Sequence, residues 1–132
     1  MIIVYDSLTG NVKRFIDKVK NKNESLRVEN IATIPIVDDD YILVTYTIGM
    51  GKVPDSTQKF LNKNSNKLKA VIVSGNIIWG DNFGKAGDTI SKQYNIPLIM
   101  KIELSGTQQN VDQFIQEVAK FDNNSKMDST QQ

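Results

Sequence analysis

Three segments of the chain combine glycine with hydroxyl and amide side chains, and each of them follows an apolar run. They are SLTGNV at residues 7–12, TYTIGMG at 45–51 and SGNIIWGDNFG at 74–84. Backbone N–H groups at the start of a helix, assisted by hydroxyl and amide donors, bind phosphate. The first segment offers such donors on Ser7, Thr9 and Asn11, and Gly10 allows close approach of the backbone. It therefore predicts a phosphate loop.

Helix capping is the alternative explanation of the first segment. Ser7 and Thr9 can cap a helix while Gly10 forms a turn, which explains most clusters of this composition. The other two segments favour a ligand site, because all three segments follow predicted strands of one parallel sheet. Ligands bind such sheets beyond the carboxyl ends of the strands, so three polar ends predict one concave site.

The third segment contains the only tryptophan of the chain, Trp79. A ligand ring with polar edges needs a stacking face, which Trp79, Met50 and Tyr46 can supply. Packing in the core is the alternative role for a single tryptophan. The polar, glycine-containing surroundings of Trp79 favour a place at the edge of a binding site.

The composition excludes several kinds of chemistry. The 132 residues include no cysteine and no histidine, which excludes disulfides, thiolate metal sites and the Ser-His-Asp arrangement. Sixteen Lys and Arg against fifteen Asp and Glu give a net charge of +1, which argues against duplex DNA or an anionic membrane as a partner. We therefore expect a cofactor to carry any chemistry, with no nucleic acid, membrane or metal ion bound.

The length of the chain fits a single domain with one core. Its apolar start is too short for the hydrophobic region of a signal peptide, and no apolar stretch is long enough to span a bilayer. We therefore expect a soluble cytoplasmic protein. Residues 122–132 are almost entirely polar and predict a disordered tail after a domain at 1–121.

Apolar runs that suit buried strands alternate with segments of helical period, which predicts an α/β fold with a parallel sheet. The predicted strands are 2–5, 26–29, 41–46, 70–74 and 98–104. The first and last predicted helices carry apolar residues at the spacing i, i+3, i+4, i+7. These residues are Val12, Phe15, Ile16 and Val19 in the first helix and Val111, Phe114, Ile115 and Val118 in the last.

Two further helices are predicted between these strands. Pro54 indicates the first turn of a helix that ends near residue 63, because proline is favoured at that position. A helix at 82–94 is less regular, since Gly84 and Gly87 interrupt it. One face of this helix carries Phe83, Ala86, Ile90 and Tyr94.

The segment 31–40 shows too little periodicity for a packed helix and is predicted to be a loop. Three aspartates at its end, residues 38–40, can ligate a hard cation such as Ca²⁺. A solvated run of loop carboxylates is the alternative.

The motifs DSLTGNV, TYTIGMGKVP and SGNIIWGDNF, with KIELSGT after the fifth strand, closely resemble the NrdI family. These are flavodoxin-like FMN proteins that assist class Ib ribonucleotide reductase, and the resemblance covers residues 1 to about 121. It implies a flavodoxin-like three-layer sandwich: a five-stranded parallel sheet of order 2-1-3-4-5 with helices on both faces. It also implies that FMN binds noncovalently.

The resemblance implies a redox role in service of the reductase. Reduced flavin reacts with molecular oxygen and supplies an oxidant, superoxide, to the manganese-loaded small subunit. There the oxidant allows the dimanganese-tyrosyl radical cofactor to be assembled. The implied partners are therefore the small subunit, molecular oxygen and an unidentified flavin-reducing partner.

The resemblance also assigns the three segments to parts of FMN, with no catalytic side chain and no metal ligand. The phosphate loop comprises Ser7, Leu8, Thr9, Gly10, Asn11 and Val12. The first isoalloxazine loop comprises Thr45, Tyr46, Thr47, Gly49, Met50 and Gly51. The second comprises Ser74, Gly75, Asn76, Trp79, Gly80, Asn82 and Phe83.

Two departures from the family pattern concern the ring loops. Family members commonly carry an aromatic residue in place of Met50, so two-sided aromatic stacking is not expected here. They carry sequence similar to SGNRNWG where this chain has Ile77 and Ile78, which replaces polar groups by apolar ones at an expected contact surface. Packing in the protein's own core is the alternative role of these isoleucines.

The glycines of the first ring loop have two explanations. Gly49 and Gly51 can occupy positive φ, so a peptide near them can turn either its N–H or its C=O toward flavin N5. That change suits a flavin whose N5 is an acceptor when oxidised and a donor when reduced. An ordinary tight turn is the alternative.

Other functions were compared with this one. A general flavodoxin-type electron carrier is the main alternative, although that class is usually markedly acidic. A flavin-free binding module can use the same loops. GMGK lacks the first glycine of a nucleotide phosphate loop, and Val53 replaces its hydroxyl residue. A response-regulator receiver needs an aspartate where Thr45 or Tyr46 stands.

Overall fold

Five β-strands and four α-helices alternate along the chain, as a computed structural model shows. It describes the backbone of residues 1–131 and the side chains of residues 1–122. The strands are β1 (Ile2–Tyr5), β2 (Val28–Asn30), β3 (Tyr41–Tyr46), β4 (Leu68–Gly75) and β5 (Leu98–Glu103). The helices are α1 (Asn11–Lys22), α2 (Asp55–Asn64), α3 (Lys85–Tyr94) and α4 (Gln108–Gln131). Two short 3₁₀ segments lie at Ser65–Lys67 and Ile77–Asn82.

All neighbouring strands pair in parallel, in the order β2-β1-β3-β4-β5. This confirms the predicted flavodoxin-like sheet. Since side chains alternate between the faces of a strand, Ile3 packs into one core cluster while Ile2 and Val4 pack into the other. Helices therefore cover both faces.

The first core cluster joins the sheet to α1 and α4. Phe15 of α1 and Phe114 of α4 meet edge to face, with ring centroids 5.4 Å apart. The second cluster joins the opposite face to α2 and α3, where Tyr41 and Phe60 make a similar contact at 5.9 Å. The regular apolar spacing in α1 and α4 is confirmed by the burial of Val12, Val19, Val111 and Val118.

Several predicted boundaries differ from the structure: β4, predicted at 70–74, runs from Leu68 to Gly75, and β5 ends at Glu103 instead of 104. Three other differences have local reasons. Strand β2 begins two residues late, because the Leu26 N–H still donates to the Asn23 carbonyl at 3.3 Å in the turn after α1. Helix α2 begins at Asp55, with the extended Pro54 as its N-cap. Helix α3 begins at Lys85, because the preceding residue, Gly84, has a φ of +62°, which is outside the right-handed helical region.

Gly87 interrupts the helical pattern of α3 in the sequence, but it allows the helix to approach the sheet. A Cβ atom built on it would lie 2.6 Å from a methyl group of Val73 and 2.8 Å from one of Leu98. Any side chain at this position would push α3 away from β4 and β5. The glycine is therefore a packing requirement.

Residues 31–40 form a loop, as predicted, and its aspartates make ion pairs. The N-terminal ammonium lies 3.3 Å from the Asp39 carboxylate, and Lys69 lies 3.8 Å from Asp40. The pKa of Asp39 is lowered overall: burial raises it, but the Asp40 N–H and the N-terminal charge outweigh that effect. Among the described side chains, no group of three acidic, histidine or cysteine residues could hold a metal ion.

Helix α4 has its described side chains in residues 108–122. Most of the predicted tail at 122–132 consists of residues 123–132, whose side chains lie outside the described residues. That tail stays a prediction. Within the described part of the chain, no helix is both long and apolar enough to cross a membrane.

Candidate functional site

A cleft with a volume of about 230 Å³ opens at the carboxyl ends of the central strands. The loops after β1, β3 and β4 all contribute to it, as the sequence segments suggested. Residues predicted for the site that line it are Ser7, Leu8, Thr9, Asn11, Val12, Tyr46, Thr47, Ser74, Gly75, Asn76 and Trp79.

Other predicted site residues belong to the same loops but do not line this cleft: Gly10, Thr45, Gly49, Met50, Gly51, Gly80, Asn82 and Phe83. Two lining residues were not predicted, Ile48 and Leu104. Leu104 follows β5 within the motif KIELSGT, which is the signal that could have identified it. Its φ of +52° is unusual for a residue other than glycine, and its N–H donates to the Gly75 carbonyl at 2.9 Å.

The start of α1 is capped from outside its N-cap position. Gly10 is the N-cap residue, with a φ of +95° and no side chain to donate or accept. Ser7 supplies the capping side chain instead, since its hydroxyl accepts a hydrogen bond from the Lys13 N–H at 3.2 Å. The capping explanation is therefore correct for Ser7. The Thr9 hydroxyl makes no hydrogen bond with the described residues, which leaves it for a ligand in the cleft.

Gly10 adopts a left-handed conformation, in line with the turn that was the alternative explanation of this residue. A Cβ atom built on it would lie 2.8 Å from Nη1 of Arg14, a flexible side chain that can move. The left-handed φ is the stronger restriction, because an L side chain is strained there. Glycine is thus required by the backbone conformation, while Arg14 could move aside.

The Asn11 side chain is held by two neighbours. Its Oδ1 atom accepts from Arg14 Nη2 at 2.6 Å and from the Ser105 hydroxyl at 3.0 Å. Its NH₂ group has no acceptor among the described residues. Since Asn11 lines the cleft, this NH₂ group is a donor available to an anion.

Trp79 lies at the rim of the cleft and is 50% exposed, which excludes packing in the core. The loop that carries it is fixed by its own backbone contacts. Asn76 Oδ1 accepts from the Ile78 N–H at 3.1 Å, and Glu103 Oε2 accepts from the Ile77 N–H at 2.8 Å. The ring is therefore presented by a fixed loop, and Tyr46 lines the same cleft.

One buried polar atom in the cleft lacks a partner. Within the described residues, the Thr47 hydroxyl is the buried side-chain group that makes no hydrogen bond. A buried group without a partner costs about 1 to 3 kcal/mol. A ligand with polar edges in this cleft would remove that cost, so the donor set fits the FMN predicted from the sequence.

The loop after β3 is a tight turn containing two glycines with positive φ. Ile48 and Lys52 form an antiparallel bridge, with Lys52 N–H donating to the Ile48 carbonyl at 2.8 Å. Gly49 and Gly51 have φ values of +53° and +99°. The described hydrogen bonds involve neither backbone group of Gly49 or Met50. The turn explanation is therefore confirmed, and a redox-dependent peptide flip stays a prediction.

A buried carboxylate lies beneath this loop. Asp6 is 6% exposed, and its Oδ2 atom accepts from the hydroxyls of Ser56 at 2.5 Å and Thr57 at 2.7 Å. The Thr57 hydroxyl also lies 2.7 Å from that of Thr45, so the Thr45 hydroxyl serves this network instead of the cleft. Burial raises the pKa of the Tyr46 phenol; a Ser56 hydrogen bond lowers it and the Asp6 charge raises it further.

Large apolar side chains are exposed mainly around the cleft. Among the described residues, the exposed ones are Leu8, Met50, Ile77, Ile78, Trp79 and Leu104 on the cleft loops, with Ile36 elsewhere. Ile77 and Ile78 are 62% and 80% exposed. They therefore do not anchor the loop in the core of this protein. Together the six cleft-loop residues form an apolar rim.

Comparisons with known proteins identify relatives of this chain. The family model described as NrdI flavodoxin-like matches residues 3–116. The SPbeta prophage-derived protein NrdI of Bacillus subtilis is 46% identical over 130 residues, covering 98% of this chain and all of that protein. Protein NrdI of Bacillus licheniformis is 46% identical over 132 residues, covering 98% of both chains.

A solved structure shows the same fold at lower identity. It is a short-chain flavodoxin associated with a bacterial microcompartment, with a TM-score of 0.62 at 18% identity. The match covers 86% of this chain and 91% of that one. This likeness supports the flavodoxin-like fold alone.

Proposed function

Because the chain belongs to the NrdI family, we propose that it binds FMN in the cleft and serves a class Ib ribonucleotide reductase. Membership of this flavodoxin-like family implies flavin binding and an association with ribonucleotide reductase. The observation that carries the FMN assignment is the cleft itself. It is built by all three motif loops and contains a buried Thr47 hydroxyl without a partner.

Each end of the cleft suits a different part of FMN. The start of α1 would hold the phosphate, since Thr9, the Asn11 NH₂ group and the first N–H groups of the helix are available there. Tyr46 and Trp79 would hold the ring, and the Thr47 hydroxyl would be available to one of its polar edges. With a volume of about 230 Å³, the cleft would enclose part of the cofactor and leave the remainder accessible at the rim.

FMN held in this cleft and reduced by a separate electron donor would supply the chemistry of the proposal, the one-electron reduction of molecular oxygen to superoxide. The chain has no cysteine, so it contributes no thiol to this chemistry. What its residues do is bind and orient the cofactor and exclude water around it. The oxidant serves the assembly of a dimanganese-tyrosyl radical in the small subunit, which we place in the cytoplasm.

The apolar rim is the surface that we assign to the small subunit. Its exposed side chains surround the opening of the cleft, where a partner could cover them and shield the passage of an oxidant. Ile77 and Ile78 project from a loop whose backbone is already held by Asn76 and Glu103. Binding would therefore bury apolar area without first having to order this loop.

The experiment combines the reduced protein, oxygen and the manganese-loaded class Ib small subunit from the same source. We expect electron paramagnetic resonance to detect a tyrosyl radical, and a generic flavodoxin to produce none. The double variant Ile77→Asp/Ile78→Asp should retain the flavin spectrum but lose radical yield and partner binding, because charges then lie in the apolar contact. Ile36→Asp is the matched control, since Ile36 is exposed but does not line the cleft.

Three results would contradict parts of this proposal. Full radical yield from the double variant would remove the two isoleucines from the interface. No radical from the unmodified, FMN-loaded protein with its cognate subunit would overturn the oxidant role, and a colourless purified protein that takes up no flavin would overturn the cofactor assignment.

A further inference from the structure

An arginine that the sequence analysis did not single out lies behind the phosphate loop. Arg14 is in the first part of α1, one turn after Gly10. Its Nη2 atom donates to Asn11 Oδ1 at 2.6 Å, and its Nε atom donates to the Ser105 hydroxyl at 3.1 Å. Arg14 therefore connects α1 to the loop between β5 and α4.

The Arg14 charge has no acidic partner in the described part of the chain. The ion pairs there link other cations, including Lys13, which lies 3.1 Å from the Asp17 carboxylate on the same helix. The first turn of α1 contains no acidic residue either. A full positive charge is thus held at the start of a helix, where the helix dipole is also positive. These two positive charges repel each other in the flavin-free protein, and a bound anion would offset that repulsion.

The position of the guanidinium indicates how Arg14 can act on a ligand that it does not touch. Arg14 does not line the cleft, but Nη1 is so close to Gly10 that a Cβ atom there would lie 2.8 Å away. The guanidinium therefore lies against the Gly10 backbone of the phosphate loop. Nη2 donates to Asn11 Oδ1, and Nε donates to the Ser105 hydroxyl, which itself donates to Asn11 Oδ1. These bonds leave the Asn11 NH₂ group as the donor in the cleft.

We propose that Arg14 is the positioning residue by which this cleft selects a phosphate monoester over the corresponding neutral alcohol, FMN over riboflavin. This inference rests on the proposed FMN site. Arg14 orients the Asn11 donor and compensates the phosphate, which carries almost two negative charges at pH 7. Neither effect is available to riboflavin, which has the same ring and no phosphate.

The test compares FMN and riboflavin binding by flavin-free, full-length protein, followed as quenching of flavin fluorescence. Arg14→Gln should weaken FMN binding about tenfold, as expected for loss of a charge-assisted interaction, and leave riboflavin binding within about twofold. Lys13→Gln is the matched control: it removes the same charge from the same turn, but from a cation already paired with Asp17. It should leave both affinities nearly unchanged.

Salt provides a second measurement that a purely structural role would not affect. FMN binding to the unmodified protein should weaken as salt rises from 0.05 to about 0.5 M, and this dependence should be shallower in Arg14→Gln. Equal losses for FMN and riboflavin, or equal losses of FMN in both variants, would overturn the role of Arg14. If the unmodified protein binds neither flavin, the proposed cofactor is wrong and this inference is overturned with it.

Discussion

At the scale of single residues, two threonines two positions apart have opposite environments. The Thr47 hydroxyl is buried in the cleft without a partner, whereas the Thr45 hydroxyl lies 2.7 Å from that of Thr57 in the network around Asp6. Strand alternation alone would put both side chains on one face, but β3 ends at Tyr46, so Thr47 lies in the following loop while Thr45 remains in the strand. Both were predicted to bind the cofactor, and the structure separates them.

We expect Thr47→Val to weaken FMN binding by about 0.5 to 1.5 kcal/mol, the usual net contribution of one hydrogen bond. The flavin-free protein should be as stable as before or more stable, because a methyl group replaces a buried hydroxyl that has no partner. Thr45→Val is the matched control and should do the reverse, lowering stability with little effect on affinity. Thermal unfolding and FMN titration of both variants measure this; a destabilised Thr47→Val protein would contradict it.

Trp79→Ala should weaken FMN binding by about 1 to 3 kcal/mol through lost stacking area. Because Trp79 is 50% exposed, the melting temperature of the flavin-free protein should change little. Flavin titration and thermal unfolding of the same preparation separate the two effects. A variant that keeps its flavin affinity but melts several degrees lower would show that Trp79 has a structural role instead.

At the scale of elements, glycine conformations determine where helices begin and so where donors lie. Gly10 and Gly84 are both N-cap residues with positive φ, ahead of α1 and α3. Because Gly84 has a positive φ, α3 starts at Lys85, three residues after the predicted start at residue 82. Sequence reasoning could not find this, because the space at Gly84 is set by Lys101 of β5, whose Cδ atom would lie 2.7 Å from an added Cβ.

Gly10→Val should abolish tight FMN binding and leave the fold largely intact. A branched side chain at a φ of +95° is strained, and relief of the strain distorts the loop that carries the phosphate donors. The Cβ atom would also displace Arg14. The measurement is the flavin content of the purified variant together with its circular dichroism spectrum. Stoichiometric flavin in a folded variant would disprove the phosphate-loop assignment.

At the scale of the whole molecule, the sequence predicted the architecture better than the site. Continuous apolar runs in β1 and β3 can only be buried strands, so their predicted bounds match the structure. The three glycine-containing ends likewise had to meet at one edge of a parallel sheet. The role of Arg14 could not be predicted in this way, because it depends on a contact with Ser105, which is distant in sequence. Thr47 was predicted as a site residue, but the burial of its hydroxyl without a partner is visible only in the structure.

Stability of the whole fold should fall in alkali because of one tyrosine. Tyr41 is fully buried and donates its hydroxyl proton to the Asn64 carbonyl at 2.7 Å. Burial, and to a lesser extent Tyr94, raise its pKa far above the ordinary value of 10.0. The folded state therefore holds this proton more tightly than the unfolded state does, so stability is fully present below pH 10 and is lost as pH rises above it.

The measurement is urea unfolding between pH 8 and about 11.5, with Tyr41→Phe as the comparison. The unmodified protein should lose stability steadily above about pH 10, at up to 1.4 kcal/mol per pH unit for this one group. Tyr41→Phe should start less stable, because it loses the bond to Asn64, but should show a flatter profile. Parallel profiles for the two proteins would show that another group causes the alkaline loss.

The short outer strand β2 has a consequence for self-association. A long, flat outer strand exposes unpaired N–H and C=O groups on which another chain can add a strand, the first step of fibril growth. Here β2 has only three residues, and the charged Glu29 stands at its centre. At the opposite edge, Lys101 and Glu103 of β5 are tied to the neighbouring loop and α3 through the Phe83 carbonyl, the Ile77 N–H and Asp88. The central strands of the sheet are apolar, but its two edge strands give a second copy of the chain little opportunity to add a strand.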